Sequence, residues 1–321
     1  MNGFENTIDI LGDLEFRKQY FGKTLTEYSD DSVLYLRGNA LRSFPSLSKV
    51  TLPNCSYIGE SAFYGCKNLS FISIPNARSF YYSDYGGTGT GLFEGTGVSS
   101  LELLPSYFST VIPSYCFKDC NFTGTLTIPE NYRSISAYAF ANNPIERLVI
   151  DHECLIQGRA YNKCTSLKEV SAPLVKTAYA SAFYSCYSLE TIFMPELTGI
   201  AYYTFGYCSA LKNVNDFPNV STVFEGAFYG CENLPSLSFR IASSIAGYAF
   251  NGCKELSVIY IGSDTCNLYA STVFSSTKIT FATGSIYVPA SRVDYYRNST
   301  NWNWFSTQIF GYDYENDRPV D

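Results

Sequence analysis

Blocks of apolar and polar positions return along this chain about every 22 residues. In the clearest blocks an Ala or Thr precedes a Phe, and a Cys follows three residues after the Phe. These pairs are Phe63 with Cys66, Phe183 with Cys186, Phe205 with Cys208, Phe228 with Cys231 and Phe250 with Cys253. A fixed period of about 20–30 residues is typical of solenoids, in which each repeat packs against its neighbours. The pattern therefore predicts a repeat protein, which works by binding more often than by catalysis.

The position of this Phe, here called the anchor, can be followed through the chain. The eleven anchors are Leu41, Phe63, Phe93, Phe117, Phe140, Tyr161, Phe183, Phe205, Phe228, Phe250 and Phe274. Successive anchors are 21 to 24 residues apart, except for 30 residues between Phe63 and Phe93. The long interval contains an aromatic and Gly-rich tract at residues 80–91. We interpret this tract as a loop inserted into one repeat, because solenoids tolerate length changes there.

Each repeat has the same internal pattern around its anchor. An aliphatic residue, such as Ile58, lies five positions before the anchor. After the anchor, apolar residues alternate with polar ones and often end at Pro, as at Leu69, Ile72, Ile74 and Pro75. Alternation of this kind predicts a half-buried strand, and stacked strands of successive repeats predict a parallel sheet about 50 Å long.

The stretch from Ile58 to Pro75 resembles the BspA-like branch of leucine-rich repeats, whose pattern is I-x-x-x-A-F-x-x-C-x-x-L-x-x-I-x-I-P. The resemblance extends over roughly residues 33–289. It implies a β-rich solenoid, a right-handed leucine-rich-repeat rod or shallow arc of about ten repeats of 22–24 residues with capped ends. The family includes bacterial surface proteins and proteins encoded in gut-bacterial phage genomes, and it implies binding of host or microbial ligands. Thr96, Asn143 and Thr277 depart from the pattern, since they replace the Cys.

The two ends of the chain differ from the repeats. We expect residues 1–32 to form an N-terminal cap or linker, residues 33–289 the solenoid, and residues 290–321 a C-terminal cap followed by an acidic tail. Residues 290–296 are expected to form a short helix, and the tail from residue 313 onward is expected to be frayed. An apolar lid over the last repeat is predicted from Trp302, Trp304, Phe305 and Ile309.

Charge and hydropathy exclude some classes of partner. The net charge is −7 and no run of Lys or Arg occurs, so we expect no nucleic-acid partner. No signal peptide and no stretch of about 18 apolar residues is recognised, so we expect no membrane insertion. The localisation stays open between cytoplasmic synthesis, a virion and export by another route. The chain is expected to be a monomer or part of a larger assembly.

The eleven cysteines raise the question of disulfides or a metal site. Seven of them occupy the same position of the repeat: Cys66, Cys120, Cys164, Cys186, Cys208, Cys231 and Cys253. In a column along the sheet direction, neighbouring Cβ atoms would be about 4.8 Å apart, longer than the roughly 3.8 Å of a disulfide. A column also lacks the tetrahedral convergence that zinc requires. We therefore expect free, buried thiols, with no metal and no cofactor.

Catalytic patterns are lacking in the sequence. The only histidine, His152, is expected at the surface in a connecting turn, and neither G-x-S-x-G nor H-E-x-x-H occurs. The glycines at residues 86–91 match neither the dinucleotide nor the Walker spacing. We predict no catalytic, cofactor-binding or metal-binding residue, and we expect no enzyme.

Three surfaces are candidates for ligand binding. Outward strand positions carry the isolated aromatic residues Phe71, Phe193 and Tyr260. The inserted loop carries Phe80, Tyr81, Tyr82 and Tyr85. Tyrosines next to the anchors form the third surface, for which paving of the solenoid flank is the alternative explanation. Tyr offers a large rigid contact area with a polar tip, which suits protein or glycan recognition.

The sequence favours a non-catalytic recognition or adhesion protein that binds a protein or glycan ligand through the solenoid surface. The alternative is a structural component of a phage virion or of its assembly, in which the solenoid is a rigid spacer. An enzyme hidden in the solenoid is the least favoured hypothesis.

Overall fold

The chain forms a parallel-sheet β-solenoid of about 12 turns with few helices, according to a computed structural model. The structure describes residues 25–77, 91–101 and 110–320, together with the backbone of the strands at Thr7–Ile8 and Ser79–Phe80. The chain divides into two compact units. Unit 1 comprises residues 1–123 and 131–144, and unit 2 comprises residues 124–130 and 145–321.

The strands are short throughout. In chain order they are β1 (Thr7–Ile8), β2 (Glu27–Ser29), β3 (Tyr35–Leu36), β4 (Lys49–Thr51), β5 (Tyr57–Ile58), β6 (Phe71–Ser73), β7 (Ser79–Phe80), β8 (Val111–Ile112), β9 (Gly124–Thr127), β10 (Ser134–Ile135), β11 (Ile145–Val149), β12 (Leu155–Ile156), β13 (Glu169–Ser171), β14 (Thr177–Ala178), β15 (Thr191–Phe193), β16 (Gly199–Ile200), β17 (Asn213–Val214), β18 (Thr222–Val223), β19 (Ser236–Phe239), β20 (Ser244–Ile245), β21 (Val258–Ile261), β22 (Asn267–Leu268), β23 (Ser285–Pro289), β24 (Ile309–Asp313) and β25 (Arg318–Val320).

Most turns contribute two strands, whereas the sequence pattern predicted one. The predicted alternating segments form the long-strand face, which consists of β2, β4 and β6 in unit 1 and of β9, β11, β13, β15, β17, β19, β21 and β23 in unit 2. In most turns an aliphatic residue five positions before the anchor ends a separate strand of two residues. Ile58, Ile200 and Ile245 are fully buried examples. These short strands pair in parallel, as β3 does with β5 in unit 1 and β18 with β20 in unit 2.

The anchors form the centre of the core. In unit 2 the rings of Tyr161 and Phe183 stack with centroids 5.5 Å apart, and those of Phe183 and Phe205 stack 5.7 Å apart. In unit 1 the rings of Phe93 and Phe117 stack 5.6 Å apart. All eleven anchor side chains are at most 1% exposed. The predicted anchor register is therefore confirmed.

The chain around each anchor keeps its hydrogen bonds to the next turn. At most anchors the residues two before and two after have positive φ, as Ser181 and Ser185 do around Phe183 (both φ 60°). Their backbone N–H groups and that of Phe183 all donate to carbonyls of the following turn, at 2.8 to 2.9 Å. The residues with positive φ thus direct every second N–H group towards the next repeat. The N–H groups of Ser181, Phe183 and Ser185 therefore all have hydrogen-bond acceptors.

The cysteine column hydrogen-bonds to the anchors. The thiol of Cys208 donates to the carbonyl of Phe183 at 3.3 Å, and the thiol of Cys231 donates to that of Phe205 at 3.1 Å. Each such carbonyl belongs to the anchor of the preceding turn. All eleven cysteines are free and buried, as expected from the sequence. Burial raises the pKa of Cys120 to about 12, which disfavours the reactive thiolate.

We expect the native protein at pH 8 to react only slowly with a thiol reagent, because its thiols are buried. In denaturant without reductant all eleven thiols should react. The measurement is a spectrophotometric thiol count before and after denaturation. A denatured count well below eleven would show disulfides and contradict the thiol column.

The C-terminal cap differs from expectation in two respects. The short helix is present, as a 3-10 turn at Ala290–Arg292 followed by α1 (Val293–Asn298), and 3-10 turns at Ser271–Phe274 and Trp302–Gln308 flank it. Trp302, Phe305 and Ile309 are buried, but Trp304 is 72% exposed and does not belong to the lid. The prediction of a frayed tail is wrong, because β24 and β25 form an antiparallel hairpin.

The N-terminal segment also contributes to the solenoid of unit 1. The backbone of β1 pairs in parallel with β3, with Thr7 opposite Tyr35 and Ile8 opposite Leu36. The short-strand ladder therefore begins within the segment that the sequence assigned to a cap or linker.

Candidate functional site

The predicted strand aromatics lie at three separate places. Phe71 begins β6 of unit 1, is 46% exposed and lies under the ammonium group of Lys49 at 5.6 Å. Phe193 ends β15 of unit 2 and is 48% exposed. Tyr260 lies in β21 of unit 2 and is half-buried among other aromatic rings. Of these three residues, only Tyr260 lines the cleft that is described below.

The inserted loop can be located only in part. Tyr81, Tyr82 and Tyr85 lie outside the described residues. Phe80 belongs to the backbone of β7, where it is the register partner of Ile58. Phe80 therefore continues the short-strand ladder, and the insertion follows it. The loop remains a prediction.

Two tyrosines near the anchors have packing roles in unit 2. Tyr203 and Tyr207 have positive φ, and each ring lies over a glycine of the next turn. A Cβ added at Gly226 would come within 2.4 Å of the Tyr203 ring, and one at Gly230 within 3.1 Å of the Tyr207 ring. Each ring occupies the space that the glycine leaves. This arrangement supports paving of the solenoid flank for these two residues.

The long-strand face of unit 2 is interrupted between β17 and β19. Pairing between β15 and β17 is regular up to Ile192 opposite Val214, and pairing between β19 and β21 is regular from Ser236 opposite Val258 onward. Within the described residues, the only bridge between these two halves joins Phe217 and Phe239. The row of outward strand positions along the long-strand face is therefore broken at this point.

Asn215 satisfies backbone groups at the interruption. Its side-chain oxygen accepts a hydrogen bond from the backbone N–H of Met194 at 2.7 Å, and its amide nitrogen donates to the carbonyl of Asp216. The side chain of Asn215 thus takes the place of a backbone acceptor between neighbouring strands. The interruption opens the sheet surface beside the small residues of β19.

The C-terminal hairpin closes one side of this opening. Asp313 fixes the hairpin turn, since its carboxylate accepts the N–H groups of Glu315 and Asn316, both at 3.1 Å. The hydroxyl of Tyr312 donates to Asp317 at 2.9 Å, and that of Tyr314 donates to the carbonyl of Tyr287 at 3.2 Å. These contacts hold two tyrosine rings at the end of the long-strand face.

A cleft of about 290 Å³ lies between the interruption and the hairpin. We call it the tyrosine cleft; its principal lining residues are Tyr260, Tyr312, Tyr314, Asp216, Arg240 and Asp317. The ring of Tyr260 stacks on that of Tyr287 at 5.1 Å and meets that of Tyr312 edge-on at 5.0 Å. The aromatic walls are therefore fixed by one another.

The electrostatics of the tyrosine cleft favour neutral hydroxyl groups on its walls. Burial, with the hydrogen bond to Asp317, raises the pKa of Tyr312 to about 12. Burial also raises the pKa of Tyr260, as do the nearby Tyr287, Asp317 and Asp216. At neutral pH these tyrosines can both donate and accept hydrogen bonds.

Charged groups of both signs flank the tyrosine cleft. Asp216 and Arg240 are exposed, and neither has a salt-bridge partner within the part of the chain that the structure describes. Several exposed charges elsewhere in unit 2 are paired between turns, as Lys212 is with Glu190 at 2.7 Å. Two unpaired opposite charges beside aromatic walls are suited to a ligand with polar groups.

Sequence reasoning identified Tyr260 and missed the other residues of the tyrosine cleft. Tyr314 and Asp317 were assigned to the tail, and Tyr312 to the C-terminal cap that precedes it. One signal was available: the strand alternation after Leu211 stops at Asn215 and Asp216, where other repeats continue it.

The structure contains no alternative chemical centre in its described residues. No group of three or more His, Cys, Asp or Glu residues there could hold a metal ion. His152 is 8% exposed, so its expected surface position is wrong. Among the helices of the described residues, none has the length and apolarity to span a membrane.

Comparison with known families identifies the repeat. The model of the BspA type leucine-rich repeat region, with six copies, matches residues 4–88, 35–168, 88–197 and 176–301. The chain belongs to the BspA type leucine-rich repeat family. The resemblance inferred from the sequence is thereby confirmed. A search among curated proteins found no match.

The chain is similar to solved structures of other bacterial proteins at low sequence identity. A leucine-rich repeat protein from Bacteroides ovatus has a TM-score of 0.53 at 18% identity, covering 90% of this chain and 84% of that chain. A leucine-rich cell surface protein from Faecalibacterium prausnitzii has a TM-score of 0.44 at 18% identity, covering 88% and 90%. The pneumococcal vaccine antigen PcpA has a TM-score of 0.47 at 13% identity, covering 91% and 90%.

Proposed function

We propose that this protein is a non-catalytic recognition protein that binds a protein or glycan ligand through its long-strand face, at the tyrosine cleft of unit 2. The family is typical of surface, adhesion or recognition roles and is generally non-catalytic. The observation that carries the proposal is the cleft itself, where fixed tyrosine rings meet the unpaired Asp216 and Arg240. Binding sites are commonly concave, with a few convergent polar groups.

The alternative of a virion spacer has no observation in its favour. A spacer requires only a regular repeat, and it gives no reason for a break in the sheet. The interruption after β17 and the hairpin over it are departures from regularity that together form a concave surface. Loops and irregular segments on a rigid scaffold are the usual carriers of function.

We expect the labelled protein to bind saturably to bacterial cells or to immobilised mucin, which presents both protein and glycan. Tyr260→Ala should weaken this binding about tenfold or more, because a rigid aromatic contact is removed from the centre of the site. The measurement is a binding isotherm by flow cytometry or surface plasmon resonance.

Phe193→Ala is the matched control, because Phe193 is an exposed aromatic residue on the same face but outside the cleft. It should change the affinity less than twofold. Circular dichroism checks that both variants are folded. The proposal is wrong if no surface in the panel binds saturably, or if Tyr260→Ala binds as the unaltered protein does.

A further inference from the structure

We infer that the tyrosine cleft binds a neutral sugar residue of a glycan, an inference that rests on the proposed recognition function. The first argument is the size of the site. A cleft of about 290 Å³ is at the lower end of small-ligand pockets, which measure roughly 300–1,000 Å³. A protein partner would instead bury about 800 Å² on each side. The cleft therefore fits one small unit of a ligand.

Two serine residues contribute small, polar side chains to the lining of the cleft. Ser236 and Ser238 lie on β19, and Ser238 is the register partner of Tyr260. Their hydroxyls donate and accept hydrogen bonds, as the hydroxyls of a sugar do. A small residue beside a tyrosine leaves a depression with one aromatic wall. The apolar C–H face of a sugar ring can pack on that wall, while its edge faces the serines.

The charged residues complete a set suited to a polyol. Asp216 and Asp317 offer acceptors, and Arg240 offers donors. Hydrogen bonds to charged groups are stronger than those between neutral groups. Two neighbouring hydroxyl groups of a sugar can both hydrogen-bond to one carboxylate or to one guanidinium group. Asp317 already accepts the hydroxyl of Tyr312, which leaves its second oxygen for another donor. Such a set matches a ligand that both donates and accepts at several adjacent atoms.

The charge balance selects a neutral sugar. Two carboxylates and one guanidinium give the cleft a formal charge of about −1, and the whole chain carries −7. Anionic ligands such as sialylated or sulfated glycans, and nucleotides, would be repelled by this field. The cleft would thus select a neutral sugar by repelling anionic ligands as well as by its contacts with the sugar.

The test uses free oligosaccharides as competitors for mucin binding by the full chain. Neutral mucin oligosaccharides should inhibit at concentrations at least tenfold lower than sialylated or sulfated ones. Periodate treatment of the mucin, which cleaves vicinal diols, should abolish binding, while protease digestion should leave binding to the glycopeptides. A direct titration of the neutral oligosaccharides by isothermal calorimetry should reproduce the order.

Variants assign the binding to the cleft. Arg240→Gln and Asp216→Asn should each weaken oligosaccharide binding about ten- to hundredfold, as expected for a lost charge-assisted hydrogen bond. Lys254→Gln, which removes an exposed charge paired with Glu232 outside the cleft, should have no effect. Ser238→Trp should fill the cleft and abolish binding. Ser171→Trp, at an outward position of β13, is its matched control.

The two proposals fail in different ways. Binding that survives periodate, is lost on protease digestion and still requires Tyr260 would overturn the sugar inference and keep the recognition function. Selective inhibition by acidic oligosaccharides would overturn the neutral class. Saturable sugar binding that is unchanged in Ser238→Trp and Arg240→Gln would overturn the cleft as the site. Absence of saturable binding to any surface would overturn both proposals.

Discussion

Phe183→Ala is expected to lower the free energy of unfolding by about 3–5 kcal/mol, the usual range for removing a buried Phe side chain. The ring of Phe183 is fully buried and stacks on an aromatic ring on each side, Tyr161 at 5.5 Å and Phe205 at 5.7 Å. Its backbone is held to the next turn by hydrogen bonds, so the cavity cannot readily collapse. Urea unfolding followed by circular dichroism measures the loss.

Two variants place this effect on a scale. Phe183→Leu keeps an apolar side chain of a kind that Leu41 already provides at an anchor, and should lose about 1–2 kcal/mol. Phe193→Ala removes the same ring from an exposed position and should stay within about 0.5 kcal/mol of the unaltered protein. Equal losses for Phe183→Ala and Phe193→Ala would show that the anchor stack does not carry the stability of unit 2.

The anchors and the cysteine column could be predicted because every repeat needs side chains of the same size and polarity at these positions. Phe183 and Cys186 must fill the same space in their turn as Phe205 and Cys208 do in the next, so errors in one copy are corrected by the others. The predicted family and parallel solenoid are confirmed for this reason. The second strand of each turn was missed because two residues with one buried side chain show no alternation.

The tyrosine cleft could be predicted only in part, because it depends on departures from the repeat. Tyr260 was singled out as an aromatic residue on an outward strand position. Its partner Tyr312 is 52 residues later in the sequence, directly before a segment whose acidic composition suggested a frayed tail. The hairpin forms because β24 extends the sheet of unit 2 and Asp313 fixes the turn. Neither cause is visible in local composition.

The exposure of Trp304 and of His152 was predicted wrongly, in one case too low and in the other too high. Trp304 was assigned to the buried lid by its apolar character, but it is 72% exposed, while Trp302 two residues earlier is fully buried. His152 was assigned to the surface by its place after a strand, but it is 8% exposed. In irregular segments no repeated register fixes which face a side chain occupies, so residue type alone decides poorly.

Asn143 replaces a column cysteine in unit 1, and its buried side chain hydrogen-bonds to backbone carbonyls and to a backbone N–H group. Its side-chain nitrogen donates to the carbonyls of Phe117 at 2.6 Å and Phe140 at 3.0 Å, and its oxygen accepts the N–H of Phe122 at 3.1 Å. The first of these bonds is the one that cysteines make elsewhere in the column. The bond to Phe122 is an addition that a thiol does not provide at the other positions.

Asn143→Ala should therefore lower the free energy of unfolding by about 2–4 kcal/mol, because an N–H group and two carbonyls lose their side-chain partner inside the core. Asn143→Cys should lose about 1–2 kcal/mol, since the thiol restores the bond to Phe117 and leaves the N–H of Phe122 unsatisfied. Hydrogen exchange reports on the bond to Phe122 directly, since the amide of Phe122 should exchange faster in both variants. Asn121→Ala, at an exposed position of the same unit, should change neither quantity. If Asn143→Cys were as stable as the unaltered protein, the bond to Phe122 would carry no stability, and Asn143 would be a neutral substitute for the column cysteine.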